Sequence, residues 1–118
     1  MQIHFRVEFL IKEGQLDEFK KLVQEMCTLV KEQEPDTISY QFYLDVENTK
    51  CIVNETYKDS NAAFVHMNGI AIQTIFPNIF KISRITKFDV YGNPDKDLEK
   101  MLVDFNAQIY NQFAGFTR

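Results

Sequence analysis

Ile3, Phe5, Val7, Phe9 and Ile11 alternate with Gln2, His4, Arg6 and Glu8. A period of two over this stretch predicts a half-buried strand. Lys12-Glu13-Gly14 turns the chain, and from Leu16 the period changes. Leu16, Phe19, Leu22, Val23, Met26 and Val30 recur at steps of three and four, with Asp17, Glu18, Lys20, Lys21 and Glu25 opposite. That pattern predicts an amphipathic helix. Pro35 stops it by disfavouring helical geometry at Glu34.

Ile38, Tyr40, Phe42 and Leu44 then alternate with polar positions and Tyr43, giving a second strand. Asp45 to Lys50 is polar, carries Asn48 and reads as a hairpin turn. Cys51 to Lys58 is a third strand, with Cys51, Val53, Glu55 and Tyr57 on one face and Ile52, Asn54 and Thr56 on the other. Asp59 or Ser60 caps a helix reaching about Asn68. Gly69 interrupts it, and Ile70 to Phe80 reads as two short helical pieces broken at Pro77. Ile85 to Tyr91 is a fourth strand. Asn93-Pro94 signals a helix start, and Leu98, Met101, Leu102, Phe105, Ile109 and Phe113 predict one final helix.

The order strand, helix, strand, strand, helix, strand is the split βαβ pattern of a ferredoxin-like sheet. The fold class expected is therefore α+β, a four-stranded antiparallel sheet over residues 1–92 with a C-terminal helical extension, 93–118, of the same domain. Helices in this topology cover one sheet face. The other carries Leu10 and Ile52 among polar residues, and burial against a second copy would cover it, so a homodimer is expected.

The 118 residues favour one domain. Lys and Arg total 13 against 17 acidic residues, for a net charge of -4 with no basic run, which argues against nucleic acid as a partner. No apolar run approaches the ~20 residues of a membrane span, and the N-terminus has no signal-peptide pattern. Cys27 and Cys51 match no zinc or redox spacing and read as thiols in a reducing, cytoplasmic setting. Phe and Tyr make up 14% of the chain, enough to build both a core and an aromatic pocket.

Two residues stand out as carriers of chemistry. His66 lies on a half-apolar helix and titrates near neutrality, as proton transfer requires; the alternative is a structural histidine. Glu55 shares a strand face with Val53 and Tyr57, so an inward carboxylate there needs a partner, His66 being one, or a raised pKa; the alternative is pairing with a cation at the rim. Ala62, Ala63, His66 and Ile70 form one helical stripe whose small residues leave room for a ligand. Tyr57, Tyr40 and Tyr43 are candidates to orient a ligand through their hydroxyls; the alternative is strand packing, in which tyrosine is favoured. Asp95, Asp97, Glu99 and Asp104 read as a solvated helix face, and no metal cluster or nucleotide-binding loop is present.

Glu34-Pro35-Asp36-Thr37 is similar to the Glu-Pro-Gly-Thr turn of the antibiotic biosynthesis monooxygenase (ABM) family of dimeric α+β barrels. Asn54 to His66 resembles that family's third strand and second helix, with Glu-x-aromatic, then Ala and a helical His. Gly14 sits at the family's first turn, and Phe88 to Pro94 with Ala114 to Arg118 resembles a branch described as quinol monooxygenases. The resemblance implies a cofactor-independent monooxygenase acting with O2 on a small aromatic quinol or phenol. On that reading His66 and Glu55 are catalytic, and Tyr57, Val7, Tyr40 and Phe42 contact the substrate. Heme-degrading members use a first-strand Asn, a Trp and a His; Val7 and Tyr57 stand at the first two positions, which argues against heme degradation. The alternative is a non-catalytic dimer that binds a small molecule or a protein.

Overall fold

The computed structural model describes residues 1–118. The elements run β1 (Ile3–Ile11), α1 (Leu16–Gln33), β2 (Thr37–Leu44), β3 (Lys50–Tyr57), α2 (Ser60–Met67), α3 (Ile70–Thr74), α4 (Phe76–Lys81), β4 (Ser83–Tyr91), α5 (Lys96–Asp104) and β5 (Gln108–Tyr110). The strands form one sheet in the order β2-β3-β1-β4-β5. The first three pairings are antiparallel, and β5 joins β4 in parallel. The fold is the expected ferredoxin-like α+β arrangement, but its sheet has five strands and is mixed, where four antiparallel strands were expected.

Strand alternation decides which face the helices cover. Every odd residue of β1 is buried, and register sets Phe5 beside Glu55 and Val90, and Val7 beside Val53 and Phe88. On the same face of β3, Cys51, Val53, Glu55 and Tyr57 are all buried. Phe19, Leu22, Val23, Met26 and Val30 of α1 close over these strands. Gly14 makes the turn into α1 with φ +79°, a conformation that disfavours a β-carbon. Edge-to-face pairs of Phe5 with Tyr57 and Phe88, centroids 5.0 and 5.2 Å apart, lock the centre.

Four local expectations are corrected. The last helix does not run to Phe113. Asn106 takes φ 57°, Ala107 N–H donates to the Leu102 carbonyl at 3.1 Å and Asn106 N–H to that of Val103 at 3.0 Å, a left-handed C-terminal cap. Ile109 therefore lies on β5, and Phe113 is in an exposed tail. That helix is capped by Asp95, whose Oδ1 accepts from Leu98 N–H at 3.0 Å, rather than started at Asn93. On β2, an irregularity between Thr37 and Ser39 turns Ile38 away from the face of Tyr40 and Phe42. Finally, Ile70 opens α3 after the break at Gly69 and is exposed, so it leaves the stripe of Ala62, Ala63 and His66.

No helix is long and apolar enough to cross a membrane. Both cysteines are free; burial pushes the Cys51 thiol up to about 12 and raises that of Cys27.

Candidate active site

A small cavity of roughly 50 Å³ lies between the helix-covered sheet face and the helices. Fifteen of its 17 lining residues are hydrophobic; the two that are not are Glu55 and His66. Val7, Tyr40 and Phe42 are in the wall, as expected of substrate-contacting residues, and Phe105, just after α5, is in the wall as well.

Local structure brings the polar pair together. Alternation along β3 turns Glu55 inward. Asp59 caps α2, accepting from Ala62 N–H at 2.9 Å, and so fixes where the helix starts after the short turn from β3. His66, near the C-terminal end of α2, then falls over the strand with Ala62 and Ala63, all three buried. Its Nε2 is 3.5 Å from Glu55 Oε1. The rings of Tyr40 and Tyr57 flank the imidazole, each with its centroid 5.3 Å away.

Tyr57 does not line the cavity. Its ring lies beneath the helices with no solvent exposure, and its hydroxyl donates to Glu55 Oε1. Expected to contact substrate, it stands instead outside the cavity wall: alternation puts it on the same face as Glu55 but one step nearer the strand end, behind the carboxylate. It orients Glu55 instead.

Sequence reasoning missed Glu34 as a site residue. Pro35 ends α1 at Glu34, and Thr37 N–H donates to the Glu34 carbonyl at 3.1 Å to close a turn. Lys58 N–H donates to the Asp36 carbonyl at 3.1 Å, tying that turn to the end of β3. The turn delivers the Glu34 carboxylate to the far side of His66, where Oε1 is 2.7 Å from Nδ1 and accepts from Thr37 Oγ1 at 3.0 Å. The signal was present: a glutamate at the one helix end that points at the candidate histidine's helix.

The electrostatics follow from this geometry. Burial pulls the His66 pKa down, but the hydrogen bond to Glu34 and the charges of Glu55 and Glu34 outweigh it and hold the imidazole above its usual value. Burial raises Glu55, offset in part by His66 and the Tyr57 hydroxyl. Burial, then the Glu55 charge, holds Tyr40 and Tyr57 well above the ordinary phenol range, so both remain hydroxyl groups. The array is thus a histidine with raised proton affinity between two glutamates, at the end of an apolar chamber. No group of three or more His, Cys, Asp or Glu is placed to hold a metal ion.

Fold and site together define a small ferredoxin-like domain with one apolar chamber and a buried acid–base array. The sequence matches the family model "Antibiotic biosynthesis monooxygenase" over residues 3–77, and the chain belongs to that ABM family. Among solved structures, MupZ from Pseudomonas fluorescens is similar at TM-score 0.85 and 22% identity, over 99% of this chain and 94% of that one. A conserved protein from Methanosarcina mazei Go1 gives TM-score 0.67 and 20% identity, over 77% and 91%. Rv0793 from Mycobacterium tuberculosis gives 0.67 and 15%, over 81% and 98%. At such identities the likeness is one of fold; the MupZ match extends it through the C-terminal segment. No curated protein matches the sequence.

Proposed function

We propose that the protein is a monooxygenase that uses no cofactor and acts with O2 on a small quinol or phenol. Family membership supports the reaction class. The observation that carries the reading is the buried Glu55–His66 pair, the two lining residues that are not hydrophobic, at the wall of a mostly apolar chamber. A phenol enters with its ring among Val7, Tyr40, Phe42 and the phenylalanines, and its hydroxyl at the polar end. Glu55, its proton affinity increased by burial, accepts the hydroxyl proton. The His66 imidazolium lies next to the phenolate that results and stabilises its charge. The phenolate supplies the electrons that reduce O2. One oxygen atom joins a ring carbon, which gives up its hydrogen as a proton, and the other leaves as water, taking that proton and the one held on Glu55; phenol plus O2 gives quinone plus water. Tyr57 keeps Glu55 in place.

The test is oxygen uptake with a panel of quinols and phenols, with His66→Ala alongside. Uptake dependent on His66 supports the reading. Saturable binding without uptake would leave a ligand-binding module. Two copies are proposed to join through the sheet face without helices, where Tyr43 is exposed opposite Ile52. Light scattering at micromolar concentration is expected to return twice the 13.9 kDa chain mass; a clean monomer refutes the dimer.

A further inference from the structure

Glu34 is the one member of the array that the cavity does not touch. It lines a separate polar depression on the outside of the protein, together with Gln33, Asp36, Thr37 and Asn61. Its two oxygens have different surroundings. Oε1 accepts from His66 and Thr37. Oε2 has no protein hydrogen bond and is not sealed from solvent, since the only buried side-chain polar atom lacking a partner is Asp89 Oδ1. Gly69 keeps that second oxygen's space open: a β-carbon there would stand 3.2 Å from it. A single imidazole ring therefore separates the chamber from the outside, with Nε2 toward Glu55 at 3.5 Å and Nδ1 toward Glu34 at 2.7 Å.

We propose that Glu34 is the positioning residue of the array: it grips His66 by Nδ1, keeps Nε2 turned to Glu55 and the chamber, and exchanges the ring's Nδ1 proton with solvent through the outer depression. The role rests on the acid–base reading given above. The two ring nitrogens are distinct, and the partner of one decides what the other presents. A carboxylate on Nδ1 does both jobs at once, fixing the ring and favouring its cation. The groups that face His66 are Glu34 at the end of α1, Tyr40 on β2, and Glu55 and Tyr57 on β3. Only Glu34 among them lines the outer depression, so the charge on the ring can follow external pH through it while the chamber is filled. The proton balance is simple. Nδ1–H passes its proton to Glu34 and Glu34 to water, leaving the neutral ring with its proton on Nε2; the reverse path recharges it, with no change in oxidation state.

The experiment uses the full chain and two readouts. One is the NMR titration of the His66 ring without ligand; the other is kcat and KM for a quinol against pH. Glu34→Gln retains a hydrogen-bonding group and removes the charge. The His66 midpoint is expected to fall by about one unit or more, a tenfold or greater loss of proton affinity. The alkaline limb of the kcat profile moves down with it, while KM, set in the chamber, changes less than about threefold. Glu34→Asp is expected to recover part of the shift, and it carries the test if the glutamine variant does not fold. A merely structural glutamate would lower the melting temperature and leave the midpoint alone, so a midpoint within about 0.3 unit of the parent in both variants overturns the proposal. The titration needs no turnover. A moved midpoint in a protein that consumes no oxygen retains Glu34's role and refutes the monooxygenase; normal turnover with an unmoved midpoint refutes Glu34's role alone.

Discussion

The two histidines of this chain lie on opposite faces of one sheet, and they show what burial does with and without a charged neighbour. His4, on the face without helices, is half-buried, and its Nδ1 is 2.6 Å from the Thr56 hydroxyl. Burial lowers its pKa, and nothing charged opposes that. His66, on the helix side, is buried more deeply, yet its pKa is raised, because Glu34 and Glu55 bracket it. Depth alone would have made His66 the more neutral of the two. The carboxylates reverse the order: one face holds a ring whose proton affinity is lowered and the other a ring whose proton affinity is raised, beside a cavity. A perturbed histidine becomes a candidate for function when its perturbing partners are named and the site is concave, and only His66 meets both conditions.

The sharpest break of this comparison is by activity. His66→Ala is expected to lower quinol oxidation by roughly 10²–10³-fold, the range for loss of a group that stabilises charge developing in the transition state. His4→Ala, on the far side of the sheet, is expected to leave kcat within about twofold. Oxygen uptake measures both. Equal losses would remove the distinction between the faces.

Next in size is packing. Phe5 is buried at the centre of the helix-covered face, against Tyr57 and Phe88. Phe5→Ala is expected to reduce unfolding free energy by about 3–5 kcal/mol, the usual range for emptying an aromatic core position. Urea denaturation gives the value. A loss below about 1 kcal/mol would mean that the face is loosely packed and the chamber larger than its walls indicate.

The periodic parts of the molecule were legible in the sequence. β1 alternates without exception and α1 keeps its stripe, so the order of the first elements and the covered face followed from spacing. Glu55 was visible as a carboxylate in an apolar strand stripe, and His66 as the polar member of a stripe of small residues. What stayed hidden was non-local. Glu34 is 32 residues from His66 in sequence, and only the turn at Pro35 and Thr37 brings it there. Tyr57 shares a strand face with Glu55, and periodicity cannot say which of the two meets the cavity and which stands behind. At the C-terminus the apolar spacing continued at helical steps through Ile109 and Phe113, but Asn106 ended the helix and the next residues paired with β4. A left-handed Asn competes locally with periodicity, and here it prevails because the edge of β4 was available for hydrogen bonds.

The smallest expected effect concerns slope, and it tests the two faces directly against each other. A group whose pKa is raised on folding binds protons more tightly in the native state, so the stability it contributes is full below its unfolded value and is lost as pH rises through the folded one. For His66 that window opens upward from 6.5. For His4, with its folded pKa lowered, the sign reverses: its contribution is full above 6.5 and is lost as pH falls through the folded value. Glu55 adds to the first trend, since its raised pKa places its own window upward from 4.5. Melting curves between pH 5 and 9 for the parent, His66→Gln and His4→Gln isolate the two terms. Against His66→Gln, the parent is expected to lose relative stability as pH climbs above 6.5. Against His4→Gln, it is expected to lose relative stability as pH drops below 6.5, by less, because His4 is only half-buried and solvent screens it. Differences of the same sign for both variants would show that the carboxylates do not reverse the effect of burial at His66, and the contrast between the faces would fail.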